Sequence, residues 1–379
     1  MIGTLLLILF ITCTSVQLAL WWGLFSKLAF YKKPISSSQK GQKESKKEQK
    51  PVSIVICARN EAHNLVKFLP RILSQNYRLY EVIVVNDNSN DQTAQLLIQH
   101  TINCPYLRII NIHNKYEIDS QVGKKKVLAE GIDSTRYNVL LLTDADCEVA
   151  SKDWLRKMQG SLQGDKQIVL GFSPYFRYPG FLNLFIRYET IYTAVQYFSF
   201  ALAKMPYMGV GRNLAYHKHL YELAGGFSKH EHIASGDDDL FINQVSTQKN
   251  VTINIDPETF TYSEPKRSWK AYFRQKARHM TTGREYKAQH KILLGLLSTS
   301  HFGHYFFGGL VLVAQGSANV VIILFLIRMI SLIILYGKIL KQLRDPSMLI
   351  WIPILDAAFV LFYVVFAPFL MTGKRNKWT

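Results

Sequence analysis

Cysteine is scarce in this 379-residue chain: Cys13, Cys57, Cys104 and Cys147 are its only four, and no two form a C-x-x-C pair. This argues against a disulfide framework or a zinc ribbon and fits a reducing compartment. Acidic residues are also few, 27 Asp plus Glu against 45 Lys plus Arg, for a formal net charge of +18. Charged residues make up only 19% of the chain and hydrophobic ones 48%, which excludes a disordered chain. Two phosphate-binding signatures, G-x-x-x-x-G-K-[ST] and G-x-G-x-x-G, are missing, so P-loop and dinucleotide readings are weak. The length suggests roughly two domains. The basic excess leaves nucleic acid, a membrane surface or an anionic small substrate as partners.

Apolar segments decide among these. No charge occurs from Met1 to Ser26, and Ile2 to Trp22 is long enough to cross a hydrocarbon core of about 30 Å. Trp21 and Trp22, followed by Lys27, Lys32 and Lys33, suit an interfacial aromatic belt and a positive-inside flank. A cleaved signal peptide is the competing reading, but the run lacks a basic n-region and exceeds the usual ~7–15 apolar residues. Residues 1–26 are therefore expected to be an uncleaved anchor and 27–50 a basic linker. Seven Lys stand against Glu44 and Glu48 in 32–50; each basic residue near anionic headgroups contributes about 1 kcal/mol of attraction, and this places the linker in the cytosol. Further on, Tyr305 to Ile327 carries no charge, the apolar run resumes after Arg328 to Tyr336, and Met348 to Leu370 contains only Asp356. The stretch 305–336 is too long for one untilted span, and the polar patch Gln315 to Asn319 offers a place to break it into a hairpin. Lys338, Lys341 and Arg344 favour a cytosolic loop in the hairpin version; Lys374, Arg375 and Lys377 favour a cytosolic C-terminus in the unsplit one. Two or three spans are expected in 298–371, with a basic tail at 372–379.

Between 51 and 265 the pattern becomes that of an α/β domain. Val52–Ile56, Glu81–Val85 and Val139–Leu142 are short, nearly continuous apolar runs, as in strands buried on both faces of a mainly parallel sheet. The intervening segments, about 62–75, 91–101 and 122–134, read as helices, with Asp91, Thr93 and Gln95 resembling a helix start. Alternation of this kind gives βαβ units, whose ligands bind beyond the carboxyl ends of the strands. Polar tips follow each strand: Cys57-Ala58-Arg59-Asn60-Glu61, Asn86-Asp87-Asn88-Ser89-Asn90-Asp91 and Thr143-Asp144-Ala145-Asp146-Cys147. Singly each is a plausible turn or helix cap; three in succession point to a site.

This ordered series resembles the family-2 glycosyltransferases of the GT-A fold, most closely their membrane-integrated, polysaccharide-synthase-like branch. The resemblance rests on Ser53 to Glu61, Val84 to Ser89, Gly123-Lys124 before Leu128 and Leu142 to Asp146. It continues through Gly209 to Ala215, Gly225-Gly226-Phe227, Gly236 to Leu240 and Gln275 to Arg278. It implies a GT-A nucleotide-sugar-binding domain at 51–265, an amphipathic interface segment at 266–297, and inverting transfer from a nucleotide sugar, UDP-linked by expectation, to a lipid-linked or glycan acceptor at the cytosolic membrane face. The expected cofactor is Mn2+ or Mg2+, because a hard cation needs only one or two carboxylates when phosphates fill its other positions. By resemblance Asp146 is the more direct metal ligand, and Asp144 faces the ribose or a metal-bound water. Asp87 is implied to accept a hydrogen bond from the base, although Asn86 stands where many relatives have a second Asp. Ala58 and Glu61 are implied to line the nucleoside pocket, Glu61 being equally readable as an acid at a helix N-terminus. Lys124 is implied to approach the diphosphate, while Lys125 and Lys126 read as solvated charges. The general base falls on Asp237, counting back from Leu240, with Asp238 the alternative. Gln275 and Arg278 match a Q-x-x-R-W element whose Arg contacts the diphosphate. His279 replaces its Trp, which puts single transfer to a lipid or short glycan beside processive synthesis.

Other features read more blandly. His217/His219 and His230/His232 lack the supporting ligands of a zinc site. The aromatics from Phe172 to Tyr207 read mostly as packing, and 266–291 also reads as a basic amphipathic helix on membrane lipids. No nucleic-acid partner is expected, since topology explains much of the charge. A catalytically inactive, membrane-anchored nucleotide-sugar or glycan-binding subunit is the alternative function.

Overall fold

The computed structural model describes residues 2–32, 49–112, 123–233, 235–314 and 317–372. Most of the basic linker and the tail after 372 lie outside the described residues.

Nine strands form among the described residues: β1 Val52–Ala58, β2 Tyr80–Asp87, β3 Leu107–Ile112, β4 Val139–Leu142, β5 Cys147–Val149, β6 Ile168–Gly171, β7 Leu214–His217, β8 Val251–Asn254 and β9 Thr261–Ser263. Seven make one sheet in the order β3-β2-β1-β4-β7-β6-β8, and β5 pairs with β9. The pairs within β3-β2-β1-β4 are parallel, as is β6 with β8, whereas β7 runs antiparallel to both β4 and β6. Strand alternation feeds two cores. Ile54 and Ile56 pack with Leu65, Leu69 and Trp154 on one face; Val55 joins Leu128, Ile132 and the aromatic helix Phe181–Leu202 on the other. Covering both faces explains the near-continuous apolarity of β1 and β2.

Register determines what meets at the carboxyl edge. Ala58 lies opposite Asn86, so the first two polar tips emerge level with each other. Leu142 lies opposite Leu214, so the antiparallel β7 brings the loop Gly209–Asn213 to the point where Thr143–Asp146 leaves. Asn213 locks that loop, accepting from Trp154 Nε1 at 3.1 Å and donating to the carbonyls of Phe172 and Thr259 at 2.8 and 2.7 Å.

The apolar ends form a helical bundle. Ile2–Ala29, Ala318–Gln342 and Pro346–Phe366 are each long and apolar enough to cross a membrane. The first is continuous through a π-helical turn at Trp21–Phe25. Between the first and the second lies the helix Ala288–Val313. Gly308 allows it to approach closely, because a Cβ there would sit 3.0 Å from the Phe10 ring; Thr14 Oγ1 and His304 Nδ1 hydrogen-bond at 2.8 Å. The stretch 305–336 is therefore not one span. Its helix ends at Val313 and a new one starts at Ala318, within the polar patch whose Gln315 and Gly316 lie outside the described residues.

Candidate active site

The three strand tips interlock before they present anything to a ligand. Asn60 adopts a left-handed backbone at φ 56°, a conformation Asn tolerates better than most residues. Its amide donates to Ser89 Oγ at 2.9 Å and its Oδ1 accepts from Asn90 N at 2.8 Å. Asp91 does not enter the helix Thr93–Asn103 but holds two helix starts, accepting from Thr93 N at 2.9 Å and Ala62 N at 3.2 Å. Glu61 stands just before the helix Ala62–Leu73, without a capping bond from its own side chain. Its carboxylate accepts from Asn64 Nδ2 at 2.6 Å, and its pKa is raised by burial, against Asn64, with Asp146 and Asp144 adding to the rise. Glu61 thus faces the acidic tip of β4 as well as the helix N-terminus. Ala58 and Asp87, the last residues of β1 and β2, are buried. Arg59 Nη1 lies 3.4 Å from Asp87 Oδ2; burial raises the Asp87 carboxyl and Arg59 partly offsets it.

At the centre is Lys124, in the first turn of the helix Gly123–Asp133. Its Nζ lies 3.4 Å from Asp144 Oδ1 and 3.4 Å from Asp237 Oδ2. Burial would pull its pKa down, but Asp144, Asp237 and Asp238 outweigh burial and hold it well above the usual value. Lys125 corrects the expectation of a solvated charge: it is 3% exposed and donates to the carbonyls of His230 and Ile233 at 2.5 and 3.0 Å. Burial lowers its pKa. It is anchored to the loop that leads into the acidic run, whereas Lys126 pairs with Glu231 at 3.6 Å.

The structure sorts the three consecutive acids. Asp239 is turned inward, taking hydrogen bonds from the Thr282 hydroxyl and from Tyr286 OH, the latter at 2.7 Å. Asp238 caps the helix Asp239–Val245 through Asp239 N at 2.7 Å and clasps Gly211 N with its other oxygen at 2.7 Å. Burial, with Asp237 and Asp239 on either side, pushes Asp238 up to about 7. Asp237 faces Lys124. Burial raises it, but Lys124, its own amide, Lys125 and Arg278 hold it below the usual carboxylate range.

Asp146 lies between β4 and β5, with Ser263 Oγ 3.4 Å from its Oδ1. Burial raises its pKa, as does Asp144, and Arg212 opposes them. Nothing local in the sequence marks Arg212, although it lies inside the Gly209–Ala215 match. Its guanidinium stacks on Tyr175 at 4.4 Å and donates to Ser173 O at 3.2 Å, and its Nη1 is buried without a hydrogen-bond partner. Gln275 and Arg278 share the helix Trp269–Met280, capped by Ser268. Arg278 Nε is likewise buried and unpartnered. Lys276 on that helix pairs with Glu189 of Phe181–Leu202 at 2.5 Å, while His279, at the tryptophan position, is exposed.

No three His, Cys, Asp or Glu side chains gather into a metal cage among the described residues. The donor set Asp144 and Asp146 fits a hard cation that completes its shell with phosphate oxygens and water.

Residues 53–209 match the model of glycosyl transferase family 2. The chain carries a family-2 glycosyltransferase domain. The glycosyltransferase AglE of Haloferax volcanii is 29% identical over 141 residues, 37% of this chain and 44% of AglE. A poly-beta-1,6-N-acetyl-D-glucosamine synthase of Staphylococcus epidermidis is 26% identical over 141 residues, 36% of this chain and 32% of the synthase. The chain thus matches less than half the length of these curated relatives. The solved mannosyltransferase PcManGT from Pyrobaculum calidifontis, in complex with GDP-Man and Mn2+, matches with a TM-score of 0.59 at 16% identity, covering 96% of this chain and 99% of that one. The glycosyltransferase domain therefore has the GT-A fold, and helices able to span a membrane flank it at both ends.

Proposed function

We propose that the protein is an inverting glycosyltransferase. It moves a sugar from a nucleotide donor, UDP-linked in this reading, to a lipid-linked or glycan acceptor at the cytosolic membrane face, in cell-envelope glycan or glycolipid synthesis. The observation that carries the proposal is Lys124, which lies equally close to Asp144 on the donor side and Asp237 on the acceptor side. Asp237 is thereby held within one lysine of the acidic β4 tip, which supports a general base acting beside the departing diphosphate. One relative named above is a glycosyltransferase and another a poly-beta-1,6-N-acetyl-D-glucosamine synthase, which supports a glycan as product.

In this reading Asp87 accepts a hydrogen bond from the nucleoside base, with Ala58 and Glu61 lining the same pocket. Asp146 and Asp144 would hold Mn2+ or Mg2+, which when bound neutralises charge on the departing diphosphate. Lys124 and Arg278 meet the same charge from the protein side; the unpartnered Nε of Arg278 is a donor still lacking an acceptor. Gln275 supports that helix face. Asp237 takes the proton of the attacking hydroxyl. In the free enzyme Lys124 keeps it a weak base; a diphosphate competing for Lys124 loosens that hold and raises its basicity as donor binds. Asp238, with both oxygens engaged by backbone amides, positions the Gly211 loop.

A panel of UDP- and GDP-sugars tests the proposal, with hydrolysis and transfer to membrane lipid extracts measured for the purified full-length protein. Turnover of one donor, stimulated by Mn2+ or Mg2+ and releasing the inverted anomer, is expected. Binding of a nucleotide sugar without turnover under any condition would leave the inactive-subunit reading in its place.

A further inference from the structure

We propose that a cleft between the catalytic domain and the last span binds the headgroup of an anionic glycerophospholipid, apart from the donor site. The cleft encloses about 630 Å3 and is lined by Arg177, Tyr178, Phe181, Leu184, Arg187 and Trp351. A second hollow of about 530 Å3 meets it at Arg177 and Arg187 and adds Arg344 to the rim, together with Glu148, Glu258 and Asp345, which Arg71, Lys157 and Arg187 already pair. None of the proposed donor- or acceptor-site residues lines either one.

Three observations point to a lipid rather than a soluble metabolite. First, the walls are amphipathic, combining the guanidinium groups of Arg177 and Arg187 with aromatic and aliphatic side chains. Tyr178, Phe181 and Trp351 remain substantially exposed despite their size. Second, Trp351 lies near the start of the candidate span Pro346–Phe366, and the adjoining Ile350 and Ile354 are exposed. The cleft is thus continuous with an apolar outer surface at the level where tryptophan favours the membrane–water boundary. Third, the basic groups are unequally neutralised. Arg187 is paired with Asp345, but Arg177 makes only a neutral contact among its described partners, donating to Ser347 Oγ at 3.0 Å. A planar guanidinium in that setting suits a phosphodiester, and the positive rim disfavours a headgroup that carries its own ammonium. A lipid seated there would touch both the 177–187 segment of the catalytic domain and the 347–351 turn of the bundle.

The test reconstitutes full-length protein in vesicles of phosphatidylcholine with phosphatidylglycerol, brominated on the acyl chains of one lipid or the other. Quenching of the Trp351 component is read as the difference between wild type and Trp351→Phe. Phosphatidylglycerol is expected to quench it preferentially at equal mole fraction, and Arg177→Gln to reduce that preference about fivefold. Ser347→Ala, which removes the tether but no charge, is expected to keep the preference. Equal quenching by both lipids overturns the proposal, as does an undiminished preference in Arg177→Gln. Loss of preference in Ser347→Ala would make the effect of Arg177 structural and also overturn it. Displacement by inorganic phosphate at constant ionic strength would assign the cleft to free phosphate instead.

Discussion

Replacing Asp237, Asp238 and Asp239 singly by Asn should give three different proteins, because neighbouring carboxylates in this run have different surroundings. Asp237→Asn removes the proposed base while leaving Lys124 with Asp144 at 3.4 Å. A positioned general base contributes about 10²–10⁴-fold, so turnover should fall by that order, with donor affinity and folding nearly unchanged. Asp239→Asn cannot satisfy all of the Thr282 and Tyr286 hydroxyls and the Leu240 amide that the carboxylate serves now. A buried polar group left unpaired costs about 1–3 kcal/mol, so this variant should unfold at lower temperature while its folded fraction turns over. Asp238→Asn should keep one of its two amide bonds and change the pH dependence. The folded pKa of Asp238, about 7, lies above its ordinary value of 3.8. The folded state therefore holds the proton more tightly, and Asp238 costs stability as pH rises from about 4 to about 7. The Asn variant should lose that downward slope. Turnover at saturating donor, nucleotide titration and thermal unfolding at several pH values separate the three. Near-normal turnover in Asp237→Asn together with a dead Asp238→Asn would refute the assignment of the base and move it one residue on. Full activity in both would make the whole run structural.

Three further outcomes are expected. Asp146→Asn should fold and insert but lose nearly all activity, and excess EDTA should do the same to the wild type; undiminished turnover in either case refutes the metal assignment. Asp87→Ala should weaken binding of free uridine diphosphate more than it slows chemistry at saturating donor, and equal affinities by titration would remove Asp87 from the base pocket. Cysteines engineered at 36–48 should be shielded from an impermeant label outside intact cells and one at residue 2 accessible; labelling of the linker from outside would invert the proposed topology.

The parts of this molecule legible in sequence are those where one residue type has one physical reason to be there. Apolar runs at 52–58, 80–87 and 139–142 are buried on both sheet faces, and the three polar tips that follow them meet at the carboxyl edge. The second half of the sheet was not legible, because β6, β7 and β8 are four-residue strands whose pairing depends on contacts far apart in the chain, such as Leu142 with Leu214. The role of Lys125 is hidden for a related reason. Three consecutive lysines suggest a solvated face, and only the arrival of the carbonyls of His230 and Ile233 makes the middle one an internal clamp. Arg212 gave no local signal either, since its meaning comes from Tyr175 and the acidic β4 tip that the fold brings to it. In the acidic run, resemblance nominates Asp237 with Asp238 as the alternative, and only Gly211, Thr282 and Tyr286 distinguish the carboxylates that hold structure from the one that faces Lys124.

The bundle does more than anchor the catalytic domain. In lipid, apolar packing fixes helix register poorly, because the surrounding chains are as apolar as leucine. Arg328 is fully buried, and its three nitrogens address three other helices: Gln17 Oε1 at 2.7 Å, Tyr305 OH at 3.3 Å and Asp356 Oδ2 at 2.7 Å. A lone charge there would be prohibitive, and so would a mismatched one, so the four helices have one register in which every partner is present. Asp356 continues to His301 at 3.3 Å, His301 to Tyr363 at 3.2 Å, and Tyr363 to Tyr192 at 3.2 Å. Tyr192 belongs to Phe181–Leu202, the helix whose Glu189 pairs with Lys276, two residues before Arg278. Polar contacts joined through the helix Phe181–Leu202 thus run from the first helix of the chain to the helix that carries the proposed diphosphate ligand. The ion pair is costly where it sits, and setting the height and rotation of the helix Trp269–Met280 against the membrane gives a physical reason for it.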